Sequence, residues 1–353
     1  MFIRNCWYVA AWDHEIPADG LFHRTLIGEP LLLYRQADGR IVALEDRCCH
    51  RQAPLSAGRR EGDCVRCGYH GLLFDGQGRC TEIPGLERVP PHVRVRSYPV
   101  VVKNRWVFVW MGDAERAERA DPALLPDNFS NDHPDWIHRP GYLHYDTNYL
   151  LICDNLLDFS HLSYVHEKTL GGSTKIAQAR PQIDKLPQGI RVTRHVEDVP
   201  PPAYYRHMHR RMREFTANLD RWFIYDFLLP GTLLMHSGGR PTGSSHGTQA
   251  DPTQPSADSV NLHSCQTLTP ETEHSTHYFF QQSCRADQGD AAMAQTIFDS
   301  LLVAFNEDRD MITAQARNLA ARPGVPMVPL AMDAALIQFR RLVDERIAAE
   351  RPA

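Results

Sequence analysis

Several things are scarce in this sequence, and each scarcity removes a class of protein. Nine cysteines in 353 residues are too few, and odd in number, for a disulfide scaffold. In a reducing cytosol they would be thiols or metal ligands. Long apolar runs are missing too. The opening MFIRNCWYVAAWDHEIP is interrupted at Asp13, His14 and Glu15, too early for a signal peptide core or a spanning helix. A cytoplasmic protein with no membrane partner is expected. The formal charge of −5 offers no broad positive field for nucleic acid or an anionic membrane. No internal repeat is present, and neither is a flavin or nicotinamide fingerprint. What is present is a hydrophobic share of 42%, ordinary for a globular chain long enough for two domains.

Residues 24–110 are written in strands and turns. RTLIGEPLLLYRQ and RIVALED flank Asp38-Gly39, and VRVRSYPVVV and RWVFVWMG flank Lys103-Asn104, so two hairpins are expected. The charged, alanine-rich stretch from Gly112 to Pro126 reads as a connection, with a domain boundary near 115. Beyond it, Tyr145–Val165 is expected to be helical, 190–235 and 260–284 to have strand character, and 290–320 to form a long amphipathic helix. The second domain is therefore α+β. Residues 237–259, rich in Gly, Pro, Ser and Thr, read as a mobile loop, a surface insertion rather than a lid.

Within the β-rich part stand Cys48-Cys49-His50 and Cys67-Gly68-Tyr69-His70, a C-x-H and a C-x-x-H separated by sixteen residues. Two thiolates and two imidazoles suit either a Cys₂His₂ zinc site or a Rieske cluster. A zinc finger would carry its histidine pair on a helix. Here each turn offers one sulfur and one nitrogen, which suits a two-iron cluster with both cysteines on one iron and both histidines on the other. That ligand set raises the potential to about −150 to +300 mV. The flanks RCCHRQAPLSAG and CGYHGLLFDGQG resemble the two ligand loops of Rieske domains. Gly71, Gly76 and Gly78 would permit the tight backbone this needs. Cys49 and Cys64 fall outside the pattern and are expected to be small buried residues.

The segment YLLICDNLLDFSHLSYVH, 149–166, is apolar nearly all round, so its polar residues are the informative ones. Asp154, Asn155, Asp158 and His161 recur at intervals of three and four, as a stripe would. His161 and His166 would lie about 140° apart on a regular helix, so a shared metal requires that the helix distort or end. DNLLDFSHLSYVH closely resembles the catalytic-iron motif of Rieske non-heme iron oxygenases, in which the two histidines are iron ligands. The third ligand of a two-histidine, one-carboxylate triad has to come from elsewhere. In the 290–320 helix the apolar stripe Leu301, Phe305, Ile312, Leu319 includes Asp308, while Glu307 and Asp310 are expected to point elsewhere. A carboxylate on a core face needs a metal or hydrogen bonds, so Asp308 is the candidate.

The resemblance runs over nearly the whole chain. It is closest to the vanillate demethylase, toluenesulfonate methyl-monooxygenase and dicamba demethylase group, which LTPETEHSTHYFF at 268–280 and the opening FIRNCWYVAAW also resemble. It implies an α+β protein: an all-β Rieske [2Fe–2S] domain over 1–115, and over 116–353 a catalytic domain of helix-grip type with an antiparallel sheet, long helices and a mononuclear iron. It further implies a homotrimer, in which Asp158 bridges His70 of a neighbouring chain to His161 and Asn155 matches a polar position of the motif. The implied partners are O₂, an aromatic acid oxidised at a methyl or methoxy carbon, and a separate flavin and iron–sulfur NAD(P)H reductase. Candidate substrate contacts are His263, Gln266, Trp222 and Tyr278, with Phe280. The competing readings are a cis-dihydroxylating dioxygenase and, outside enzymes, a Rieske electron carrier or redox sensor.

Overall fold

Short alternating strands build the first unit, Met1–Leu125 with Thr269–Glu273, into three small antiparallel sheets. The computed structural model describes residues 1–118, 120, 125–170, 172–202, 205, 218–243 and 259–350. One sheet holds β1 (Cys6–Trp12), β11 (Trp106–Met111) and β10 (Val100–Lys103); a second holds β2 (Phe22–Leu26), β3 (Glu29–Arg35), β4 (Ile41–Glu45) and β9 (Ser97–Tyr98). Their shared core is aliphatic, with Leu31, Leu33, Val107 and Val109 fully covered. The third sheet, β5 (Arg59–Glu61), β6 (Cys64–Arg66), β7 (Leu73–Phe74) and β8 (Cys80–Glu82), carries the two cysteine–histidine loops on its connections.

Both expected hairpins form. The turn at Asp38-Gly39 has Gly39 at φ +87°, and the Gln36 amide donates to the Arg40 carbonyl. The second turn centres one residue later than expected: Lys103 pairs with Trp106, and Asn104 and Arg105 take φ +48° and +66°, as a type I′ turn requires. A single helical turn, α1 (Ala114–Ala117), follows.

The second unit, Pro126–Leu268 and His274–Ala353, is built on a seven-stranded sheet with the order β12-β18-β17-β16-β15-β14-β13. These strands are β12 (Trp136–Tyr145), β13 (Gln182–Leu186), β14 (Gly189–Val199), β15 (Leu219–Leu228), β16 (Thr232–Pro241), β17 (Val260–Thr272) and β18 (Ser275–Arg285). The helices are α2 (Tyr149–Leu157), α3 (Thr174–Gln178), α4 (Ala291–Ala321) and α5 (Ala334–Ala349). α4 packs on β12 and β18, α5 on β14, and both meet α2. Among the described residues no helix is long and apolar enough to cross a membrane.

Three expectations are corrected. Tyr145 ends β12 rather than starting a helix; α2 begins at Tyr149, where the Asn148 side chain accepts from the Leu150 amide, and stops at Leu157. β12 escapes the sequence pattern because Pro140 and Gly141 interrupt it, which an edge strand tolerates. The 237–259 stretch is not loop throughout. Ser237–Pro241 pair with β15 as strand, and 244–258 lie outside the described residues.

Glycines of the first unit differ in what they permit. At Gly78 (φ +74°) an added Cβ would lie 2.2 Å from the Val95 carbonyl oxygen, whereas at Gly85 (φ +82°) it would meet nothing within 4 Å. Gly85→Ala should therefore cost only the conformational penalty, about 1 kcal/mol, and Gly78→Ala at least about twice that. Urea unfolding of the two variants compares them, and equal losses would mean that Val95 gives way freely.

Candidate metal centres

The first loop leaves β4 at Asp46. This carboxylate, 4% exposed, accepts from the Ser56 amide at 2.7 Å, the Ser56 hydroxyl at 2.6 Å and His23 Nδ1 at 2.6 Å, tying the two ends of the loop together. The second loop is closed by Arg66, which donates to the Gly71 carbonyl at 2.8 Å while pairing with Glu61 and Glu82. The loops then abut backbone to backbone. A Cβ on Gly58 would lie 2.1 Å from the Arg66 oxygen, and one on Gly68 would lie 2.9 Å from the Ala57 oxygen.

This construction sorts the four candidate ligands by depth. Cys48 and Cys67 are each 2% exposed and their thiols interact, while His50 and His70 are exposed, with ring centroids 4.5 Å apart. Two sulfurs inside and two imidazoles outside is the donor arrangement a [2Fe–2S] cluster with mixed ligands needs. Burial, with Cys67 beside it, pushes the Cys48 thiol up to about 11, so iron would have to take that proton's place, as metals bound to thiolate do. Cys49 departs from expectation: it is exposed, because Cys48 takes the inward direction of the same turn, and Cys64 is only half-buried.

In the second unit the end of α2 positions the other site. Asp158 leaves the helix at φ −120°, ψ 89°, and a 3₁₀ turn, Phe159–Ser163, follows. That break turns His161 and His166 toward each other, with ring centroids 5.2 Å apart. Asp308 meets them from the buried face of α4, 4% exposed among Leu301, Phe305 and Ile312. Its Oδ1 lies 3.0 Å from His166 Nε2 and 3.5 Å from His161 Nε2, and the three ligand atoms lie within 4.8 Å of one another.

The outer nitrogens fix the tautomers. His161 Nδ1 donates to the Asp158 carbonyl at 2.6 Å, and His166 Nδ1 to Glu307 Oε2 at 2.8 Å, leaving both Nε2 atoms facing the carboxylate. Two imidazole lone pairs converging on an anion fit a cation at their centre. His166 reports the same field: burial opposes its charge, but Asp308 and Glu307 outweigh burial and raise its pKa. His161 lies lower than usual, chiefly through burial. Asn155 Nδ2 donates to Asp308 Oδ1 at 3.1 Å.

The expected polar stripe on α2 divides. Asp154 turns to α5, paired with Arg340 at 2.8 and 2.5 Å, and Asn155 turns to Asp308. Asp158 touches His161 through its backbone carbonyl; its carboxylate caps the 3₁₀ turn, accepting from the Ser160 amide and hydroxyl. Glu307 is also corrected. It does not point away from the site, because its carboxylate accepts from both His166 and the Thr169 hydroxyl. Asp310 lies in a separate cleft with His144 and Arg317.

A pocket of about 650 Å³, open mouth included, lies against the three ligand atoms, walled by Leu156, Phe159, Leu162, Phe223 and Phe305. Of the tentative substrate contacts, Gln266 lines it. Tyr278 stands behind, donating its hydroxyl to Gln266 at 2.7 Å, and Phe280 packs on α4 through Phe298 and Phe305. Alternation takes His263 and Trp222 to the other face of the sheet. There His263 is wedged among Phe129, Trp136 and His236, and burial pushes its pKa down to about 3; Trp222 covers Gly238. Arg221 and Ser264, not foreseen, do line the pocket.

Residues 6–99 match the Rieske [2Fe-2S] domain family and residues 145–349 the vanillate O-demethylase oxygenase C-terminal domain. The chain is 48% identical to the toluene-4-sulfonate monooxygenase system iron-sulfur subunit of Comamonas testosteroni, covering 99% of this chain and 98% of that one. It superposes on dicamba monooxygenase bound to 3,6-dichlorosalicylic acid with a TM-score of 0.88 at 30% identity, covering 99% of both chains. With dicamba monooxygenase holding non-heme iron and dicamba the TM-score is 0.80, at 30% identity over 99% of this chain and 98% of that one.

Glu307 is the residue whose role the geometry adds. Glu307→Ala should weaken Fe(II) binding by about 10–100-fold, and Glu307→Gln by less, with the iron–sulfur absorbance unchanged. Chelator competition on protein depleted of mononuclear iron measures it, and an unchanged affinity in both variants would make Glu307 incidental to the metal.

Proposed function

The chain belongs to the Rieske oxygenases, with a [2Fe–2S] domain and an iron-dependent oxygenase domain, and on that premise we propose that it mono-oxygenates the methyl or methoxy carbon of a substituted aromatic acid. The observation that carries this reading is the convergence of His161, His166 and Asp308 on one wall of a pocket lined otherwise mainly by apolar side chains, Phe159, Phe223 and Phe305 among them. In this reading Cys48, His50, Cys67 and His70 hold the cluster, and His161, His166 and Asp308 hold the iron. When bound, the cluster supplies single electrons and the iron the place where O₂ is reduced.

The rest falls to the protein. The Asp158 carbonyl and the Glu307 carboxylate orient the two imidazoles through their Nδ1 protons, and Asn155 donates to Oδ1 of Asp308, the oxygen that faces them. Phe159, Phe223 and Phe305 keep the aromatic ring of the substrate in a dry slot. Inserting one oxygen atom into a C–H bond and reducing the other to water consumes two electrons and two protons. With no nicotinamide or flavin fingerprint in the chain, a separate reductase delivers them, consistent with relatives that are components of larger systems. We place the protein in the cytoplasm, as a homotrimer in which Asp158 of one chain links the exposed His70 of a neighbouring chain to its own His161.

Iron-replete protein should contain about three irons and two labile sulfides per chain. Alanine at His161, His166 or Asp308 should remove one iron and all turnover while sparing the cluster spectrum; alanine at Cys48 or Cys67 should remove the cluster. Full iron and activity in Asp308→Ala would sink the triad.

Asp158→Asn tests the trimer. It should keep both metals yet slow oxidation of the pre-reduced protein when substrate and O₂ are added in a single turnover. An unchanged rate would show that the Asp158 carboxylate is not on the electron route.

A further inference from the structure

The buried phase of β14 runs Ile190, Val192, Arg194, Val196, so one guanidinium stands in a row of branched apolar side chains. Arg194 is 2% exposed, and burial lowers its pKa. A cation taken out of water in this way needs a counter-charge close by. It has two contacts. Nη1 donates to the Ile176 carbonyl of α3 at 2.5 Å, and Nη2 faces Asp158 Oδ1 at 4.0 Å, an ion pair without a direct hydrogen bond. Among the described residues Asp158 is the one carboxylate at ion-pair distance from it. Attraction between charges shielded from water on one side is stronger than in bulk, so the pair can hold both partners in place.

These contacts reach both ends of the 3₁₀ turn Phe159–Ser163, which carries His161. At its head the Asp158 carboxylate accepts from the Ser160 amide and hydroxyl, while the Asp158 carbonyl accepts from His161 Nδ1. At its tail the Ser163 hydroxyl donates to the Ser173 carbonyl at 2.6 Å and accepts from the Ala177 amide at 3.1 Å, which locks the turn to α3. A residue with only a packing role would need no charge at this position. The aspartate at the head of the turn accounts for one.

We propose that Arg194 is a positioning residue for the mononuclear metal: its charge fixes the Asp158 carboxylate from the sheet side, and through Asp158 it fixes the turn that aims His161 Nε2 at Asp308. Arg194 does not line the pocket itself. The proposal rests on the reading of His161 as a metal ligand, and it concerns Fe(II) affinity, not turnover.

The experiment is anaerobic chelator competition for Fe(II) on the full chain, with its cluster intact and its mononuclear iron removed, comparing wild type, R194Q, R194K, D158N and R194Q/D158N. R194Q should weaken Fe(II) binding by about 10-fold, the low end of what loss of a ligand-orienting partner costs, with R194K between. D158N should weaken it by a similar factor, while at saturating iron both variants still hold the metal. The double variant should bind no more weakly than the weaker single variant, because two residues acting through one contact are lost only once. Far-ultraviolet circular dichroism certifies the fold of each variant. An unchanged affinity in R194Q overturns the proposal, and so do losses that multiply in the double variant, as two independent structural roles would give. Should R194Q not fold, R194Q/D158N has to, since removing the acid as well leaves no charge unpaired; failure of both to fold also overturns the proposal. H161A separates the two readings. H161A that binds Fe(II) as tightly as wild type removes His161 from the metal and takes both readings down; H161A that loses the metal while R194Q keeps wild-type affinity defeats the positioning role alone.

Discussion

A carboxylate on the core face of a long helix is the constraint around which the second unit is organised. Asp308 sits where α4 otherwise presents Leu301, Phe305 and Ile312 to the interior. A buried charge there is costly unless it is compensated. Compensation arrives from α2 and the turn after it: Asn155 donates to Asp308, and His161 and His166 bring their Nε2 atoms within 3.5 Å. The break at Asp158 follows from the same demand, because five residues of regular helix would carry the two imidazoles apart. The helix ends so that the histidines can meet.

The first unit solves a different problem with turns instead of a helix. Its sheets are small, and the residues that matter lie on connections held by side chains: Asp46 closes one loop on Ser56, and Arg66 closes the other on Gly71. Glycine at 58 and 68 lets the two connections touch. The result puts the Cys48 and Cys67 sulfurs inside and the His50 and His70 rings outside. A cluster held by these four would present its imidazole end to the exposed side of the loops.

Much of this was legible in the sequence because it depends on short spacings. C-x-H and C-x-x-H are local facts, and so is the 3.6-residue stripe that marked Asp308. Glu307 was missed because its contact with His166 spans 141 residues, and nothing about its neighbours says that an acid one position off the stripe can reach back to the site. β12 was missed because Pro140 and Gly141 break its alternation. The pocket residues fared worst: a strand turns each successive side chain to the opposite face, so His263 and Trp222 were named one position out of phase with the residues that do the lining. Arg221 did leave a signal, an arginine in the apolar phase of β15.

The two imidazoles are not equivalent, and the difference bears on how charge is shared. His161 gives its outer proton to a carbonyl, a neutral dipole, whereas His166 gives its own to a carboxylate. An imidazole backed by a carboxylate is the more basic ligand. With a divalent ion bound, the charges of Asp308 and Glu307 would formally cancel it, leaving the metal end of the pocket neutral. Charge balance at the metal end would then rest on Glu307 as well as Asp308, and the loss of either acid would leave that end positive.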